Sequence, residues 1–156
     1  MRDTETPCPN CGNPTTAGWA ICQSCLRRYI EDIGSLAHVI PALRALADRT
    51  ARIGGRSHTP SRGVAPLPIS THWQEQWERA SRLMLDIAST IDIRYSLLRP
   101  ESWRKAWRKA ISNRNSLASS DRTPDLMLDL HATLIDLDGM MRERDPRVTV
   151  VSCTEC

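Results

Sequence analysis

Three features of this sequence predict a mainly α-helical fold. Apolar residues make up 40% of the 156, yet aromatics make up only 4% and Phe is absent. Core volume must then come from Leu, Ile, Ala and Met, a set that suits packed helices better than the pleated faces of a sandwich. Those residues also recur every three or four positions through long stretches, which is the period of a helix face. Finally, ten prolines and seven glycines gather in clusters that separate the periodic stretches. A chain of this length holds one ordinary domain, or a small module joined to a helical one.

The first element is a cysteine cluster. Residues Cys8 to Cys25 read CPNCGNPTTAGWAICQSC, two C-x2-C pairs with ten residues between them. Two residues between cysteines let a tight turn present both sulfurs to one ion, and four thiolates satisfy a structural Zn2+ site. Pro9 stiffens the first turn, and Gly12 stands where a positive φ is often needed. The spacer, with Pro14 and Gly18, is long enough for a short hairpin that brings the pairs together. A disulfide pair or four free thiols is the plain alternative, which the ligand count and spacing disfavour. Four thiolates leave no open position for water, so the site reads as structural. Redox chemistry lacks its flanking βαβ pattern.

Straight after the second pair, Leu26, Ile30, Ile33, Ala37, Ile40, Leu43 and Leu46 keep helical spacing. A knuckle running into a helix is the layout of a zinc ribbon or treble clef. Pro41 predicts a kink in this helix, or a break with a second helix restarting there. His38 reads as a helix-surface or packing residue. From Arg52 to Ser70 the chain is rich in Gly, Pro, Ser and Arg with no period, which predicts a linker or ordered loop. Its Arg52, Arg56 and Arg62, with nearby Arg49, suit phosphate contact or simple solvation.

Ser70 or Thr71 is the expected N-cap of the next helix. Trp73, Trp77, Ala80, Met84, Ile87, Ile91 and Leu98 form its core stripe, about seven turns in all. A turn at Leu98–Pro100 leads to a helix opened by Pro100 or Glu101. Thr123 is the expected cap of the last helix, with Pro124 and Asp125 in its first turn. The stripe there is Leu126 or Met127, Leu130, Leu134, Leu137 and Met141, with a buried or half-buried His131 beside it.

Net charge is +3 and the pI about 8.6, too mild to name a polyanionic partner. The distribution is more informative. Arg94 to Arg114 carries seven Lys or Arg against Glu101 alone, and Asp121 to Asp145 reverses this with seven acids against three Arg. Within WRKAWRKA, Trp103 and Trp107 share a face while Arg104, Lys105, Arg108 and Lys109 cover the rest. Such a helix can lie on a phosphate backbone or stack on bases. The commoner use of a tryptophan pair one turn apart is as core anchors, with the basic residues as a solvated outer face that the acidic last helix can pair with.

No phosphate loop, HExxH or nucleophile elbow is present, and the histidines are scattered, so no enzyme is expected. No apolar run spans a bilayer and the N-terminus lacks a signal-peptide core, so a cytoplasmic protein is expected.

The CPNCG knuckle, the CQSCL knuckle entering a helix, the Gly/Arg loop, the GVAPLPIS turn, the Trp-bearing helix and the terminal CTEC together resemble a family of actinobacterial and actinobacteriophage proteins. That family is described as zinc-ribbon, helix-turn-helix DNA-binding proteins. The resemblance implies a second ribbon entered at DPRVTVVSCTEC and a DNA-reading helix beyond it. This sequence stops at Cys153 and Cys156, so the expectation is a shortened member without the reader, and host cytoplasm if phage-encoded. The pair Cys153 and Cys156 can be a metal-free stump, can meet the same pair of a second copy to complete a zinc site, or can form a disulfide or bind with partner-derived ligands.

The expected organisation is a zinc-binding module over residues 1–30, a connecting helix over 31–50 and an Arg/Gly/Pro-rich loop over 51–70. A helical domain over 71–145 forms an antiparallel bundle, and a β-like tail over 146–156 carries the last CxxC. The expected function is a non-enzymatic, nucleic-acid-associated zinc protein with DNA as partner. The alternative is a zinc-stabilised adaptor for protein partners, which would expose an apolar patch on its helical body.

Overall fold

A computed structural model of the chain describes residues 6–54 and 69–143. The described residues are mainly helical. They form α1 (Gln23–Gly54), α2 (Ile69–Ser89), two short 3-10 turns at Ile93–Leu97 and Pro100–Ser102, α3 (Trp103–Ser112), α4 (Arg114–Ala118) and α5 (Thr123–Glu143). No β-strand forms among them.

The first helix is a single element of 32 residues, with Pro41 inside it. Of the two expected outcomes, a kink or a break, the break does not occur. Pro41 is exposed, and the helix is held on its other side by a dense apolar stripe. Ile33, Leu36, Ile40 and Leu43 are fully buried, as is Tyr29. That packing offsets the missing amide bond of one proline, which costs about 3 kcal/mol in an isolated helix. The helix also continues past residue 50 into what the composition marks as loop.

α2 lies along α1 in the opposite direction. The Arg44 guanidinium sits over the Trp77 ring, 4.6 Å from its centroid. Nearer the start of α1, the charge of Arg122 reaches buried Tyr29, and Arg122 in turn lies 3.5 Å from the Ser89 hydroxyl at the far end of α2. α5 then returns antiparallel to α2 and beside α1, with Arg79 against Asp136 at 3.7 Å and His131 near Asp32 at 3.8 Å. α3 packs on α2 and α1, and α4 on α1 and α3. Trp73, Trp77, Ala80, Met84 and Ile87 are all buried, as the stripe predicts.

Three expectations are corrected. α2 begins at Ile69, so Ser70 and Thr71 lie within it rather than capping it. It also ends at Ser89, well short of Leu98. There the Ser89 hydroxyl donates to Asp86 O at 2.6 Å and the Thr90 hydroxyl to Ile87 O at 2.8 Å, a local bonding pattern that competes with helix propagation. Asp92 then accepts from Arg94 N at 3.1 Å and caps the 3-10 turn that follows. Its carboxyl is held down at about 2 by the Arg94 side chain and amide. Finally, His131 is exposed, its side chain 61% accessible, because it stands on the flank of α5 rather than on the core face.

Thr123 is the first residue of α5 and is fully buried. Its hydroxyl does not cap the helix but donates to Leu117 O of α4, which fixes the α4–α5 corner. Leu126, Met127, Leu130 and Leu137 are buried as expected, and Thr133 joins them.

Shortened α2 makes a direct prediction. Ile87→Ala should cost about 2–5 kcal/mol, because it opens a cavity between α1 and α2. Ile93→Ala, beyond the helix end and 69% exposed, should stay within about 0.5 kcal/mol of the parent. Urea titration of both variants checks the contrast.

Candidate metal centre

Two turns and one helix start assemble the cysteines. In the first turn Cys8 N donates to Asn13 O and Gly12 N to Cys8 O, both at 2.8 Å. Gly12 adopts φ +75°, the left-handed region that its missing side chain permits. A single bridge, Pro7 with Pro14, flanks this turn. It cannot lengthen into a ladder, because Pro7, Pro9 and Pro14 have no amide hydrogen to donate. Within the module expected as a zinc ribbon or treble clef over residues 1–30, the described residues form two turns and the start of α1. Gly18, at φ +79°, turns the chain toward the second pair.

Cys22 immediately precedes α1, and its carbonyl accepts from Leu26 N at 2.9 Å in the first helical bond. Cys25 lies within the first turn. That turn contains no acidic residue, so the two sulfurs occupy the place where negative charge favours a helix N-terminus.

The four Sγ atoms of Cys8, Cys11, Cys22 and Cys25 lie within 4.8 Å of one another. Cys11 Sγ and Cys22 Sγ are 3.3 Å apart, and all four cysteines are free. A disulfide needs sulfurs about 2.05 Å apart. A tetrahedral ion with metal–sulfur bonds of about 2.3 Å needs about 3.8 Å between sulfurs. The cluster fits the second geometry, so these four residues form a site that can bind a metal ion.

The electrostatics agree with the geometry. Burial pushes the Cys22 thiol up, but hydrogen bonds from the Ser24 hydroxyl (3.0 Å), the Cys25 amide and the neighbouring thiols bring it down to about 6. Cys8 is lowered in the same manner, with the amides of Cys22, Asn10 and Cys11 outweighing its burial. Cys25 moves the other way, raised by burial and then by the three sulfurs around it. The turns thus stabilise the first thiolates and make the last one costly, a conflict that a divalent cation removes.

The module does not stand alone. Ala20 N donates to Ala118 O of α4 at 2.7 Å, and Asn10 Nδ2 lies 3.5 Å from Met127 Sδ of α5. Ile21 is fully buried, and Cys8, Cys22 and Cys25 belong to the same buried cluster as the helix stripes.

Of the other residues singled out by sequence, Arg104, Lys105 and Arg108 are exposed on α3 and Lys109 is half-buried. Trp103 is buried beneath the Arg104 guanidinium, 5.3 Å from its ring centroid, and Trp107 is half-buried. His38 is exposed on α1. Cys153 and Cys156 lie outside the described residues, as do Arg56 and Arg62. The heptad-spaced ridge Leu128–Ala132–Ile135 on the outer side of α5, masked in the sequence by the stronger core stripe of the same helix, was not anticipated.

No protein-family model matches the chain, and no curated protein or solved structure matches it. Fold and site define a mainly helical protein with a four-cysteine cluster that can bind a metal ion. Among the described residues no helix is long and apolar enough to cross a membrane.

Because the cluster shares the core, removing the ion should loosen more than the N-terminus. Cys22→Ala should lose the bound ion in native mass spectrometry and lower the Tm by roughly 10 °C or more, with reduced helical dichroism. A variant that loses the ion and melts unchanged would show the module to be energetically separate.

Proposed function

We propose that this is a non-enzymatic protein in which a structural Zn2+ on Cys8, Cys11, Cys22 and Cys25 holds the start of α1, and in which α3 contacts nucleic-acid phosphates. The zinc assignment is supported by the donor set, since four thiolates in a closed tetrahedron suit that ion best. A closed site leaves no position for substrate, which supports a structural role. The layout that resembles zinc-ribbon, helix-turn-helix DNA-binding proteins supports the same reading, as does a cytoplasmic setting for reduced thiols.

One observation carries the nucleic-acid reading. Arg104, Lys105 and Arg108 project from α3, and among the described residues none of them forms an ion pair with the acidic α5. The acids of α5 find partners elsewhere, Asp136 at Arg79 and Asp138 at Arg142. The basic face is thereby left available to an outside polyanion.

Anisotropy of a labelled DNA duplex, titrated at several salt concentrations, tests this. Affinity should fall with salt, with a log–log slope of about −3 when three to four phosphates are neutralised. Changing Arg104, Lys105, Arg108 and Lys109 together to Ala should abolish binding while the metal is retained. Absence of binding even at about 50 mM salt would overturn the reading.

A second reading, protein docking without nucleic-acid contact, is favoured by Leu128 and Ile135, each 59% exposed on α5.

A further inference from the structure

The outer side of α5 does not show the polar face that a surface helix ordinarily presents. Leu128 and Ile135 are joined there by Ala132 and Gly139, both exposed. A Cβ added at Gly139 would meet only open space. Positions 128, 132, 135 and 139 follow the four-three-four spacing of a coiled-coil seam. They form one ridge about three turns long, directed away from the core. Its small residues allow another backbone to approach closely.

Beside this ridge, between α2 and α5, runs a groove of about 390 Å³ whose lining includes Arg79, Arg82, Asp86, Asp129 and Ala132. Its two arginines are already engaged. Arg79 pairs with Asp136, and Arg82 Nη1 donates to Leu98 O at 3.1 Å. Asp86 and Asp129 form no ion pair among the described residues. Two carboxylates outside any ion pair, next to an apolar ridge and with both neighbouring arginines engaged elsewhere, match a basic side chain carried on an apolar helix.

We propose that this ridge docks an amphipathic helix of a partner protein. The partner's apolar row packs on Leu128 and Ile135, and its Lys or Arg side chains enter the groove toward Asp86 and Asp129. Charge argues against a second copy of α5 as the occupant, because Asp125, Asp129 and Asp136 flank the ridge and would face their own kind. The inference rests on the protein-docking reading above and is independent of any contact made by α3.

A displayed library of helical peptides, with apolar residues fixed at heptad spacing and flanking positions randomised, is selected against the metal-loaded protein. Lys and Arg should be enriched at the flanks. A selected peptide should bind roughly tenfold more weakly to the Asp86→Asn/Asp129→Asn protein and not at all to Leu128→Lys/Ile135→Lys. Circular dichroism confirms that both variants keep the helical fold. Peptides that need the ridge but carry acidic or neutral flanks would overturn the partner chemistry and leave docking on α5 standing. Recovery of no ridge-dependent peptide would overturn the docking reading itself. Sedimentation showing a dimer that Leu128→Lys/Ile135→Lys abolishes would make the occupant a second copy and overturn the proposal.

Discussion

Four sulfurs within 4.8 Å of one another, three of them on buried residues, cannot all carry charge unless a cation sits among them. The surrounding turns are nonetheless built for thiolate. Amides of Cys11, Cys22 and Cys25 point at sulfur, and the Ser24 hydroxyl adds to them. These turns could therefore keep four thiolates only if that charge were neutralised. The consequence extends inward because the second turn hands its Ala20 amide to Ala118 and places Ile21 in the main core. Residues 6–22 are too few to bury a core of their own, and they borrow the helices' core instead.

From that anchored start, α1 becomes the spine. Its buried row runs from Leu26 to Ala47, and every other long element packs on it. One strong face explains why an internal proline is tolerated and why α2 can be shorter than its apolar pattern suggests. Ile91 and Leu98 keep the period of the α2 stripe, yet they are only partly buried, packed from the 3-10 region rather than from a continued helix. A helix through to Leu98 would have required Asp92 to give up the bond it accepts from Arg94 N.

These cases show what could be read in the sequence and what could not. The cysteine ligands were legible because four residues at fixed spacing leave few alternatives, and the buried rows because helical periodicity is a strong signal. Helix ends were harder to place. Ser70 and Thr71 look like caps, but α2 already begins at Ile69, and Ser89-Thr90 looks like helix interior until its hydroxyls are seen bonding back. The zinc ribbon or treble clef was expected from a knuckle running into a helix, and of its hairpin the described residues form one bridge, Pro7 with Pro14. The ridge on α5 was hidden for a different reason. Leu126, Leu130 and Leu137 account for the helix as a core element, so Leu128 and Ile135 passed as ordinary neighbours until their exposure was known.

The two charged helices can now be considered together. A basic α3 and an acidic α5 of one chain invite the inference that each neutralises the other. The packing points elsewhere, since α3 lies on α1 and α2 while Asp136 and Asp138 of α5 pair with Arg79 and Arg142, and His131 of α5 faces Asp32 of α1. Fully exposed pairs of this kind contribute little to stability, so the segregation of charge is poorly explained as a folding device. It makes better sense as two outward faces of opposite sign, a polar basic one on α3 and an apolar one edged with carboxylates on α5. A phosphate backbone suits the first and would be repelled by the second, whereas a basic amphipathic helix suits the second and not the first. On the readings proposed above, α3 and α5 would serve different partners, each helix packed on the spine of α1.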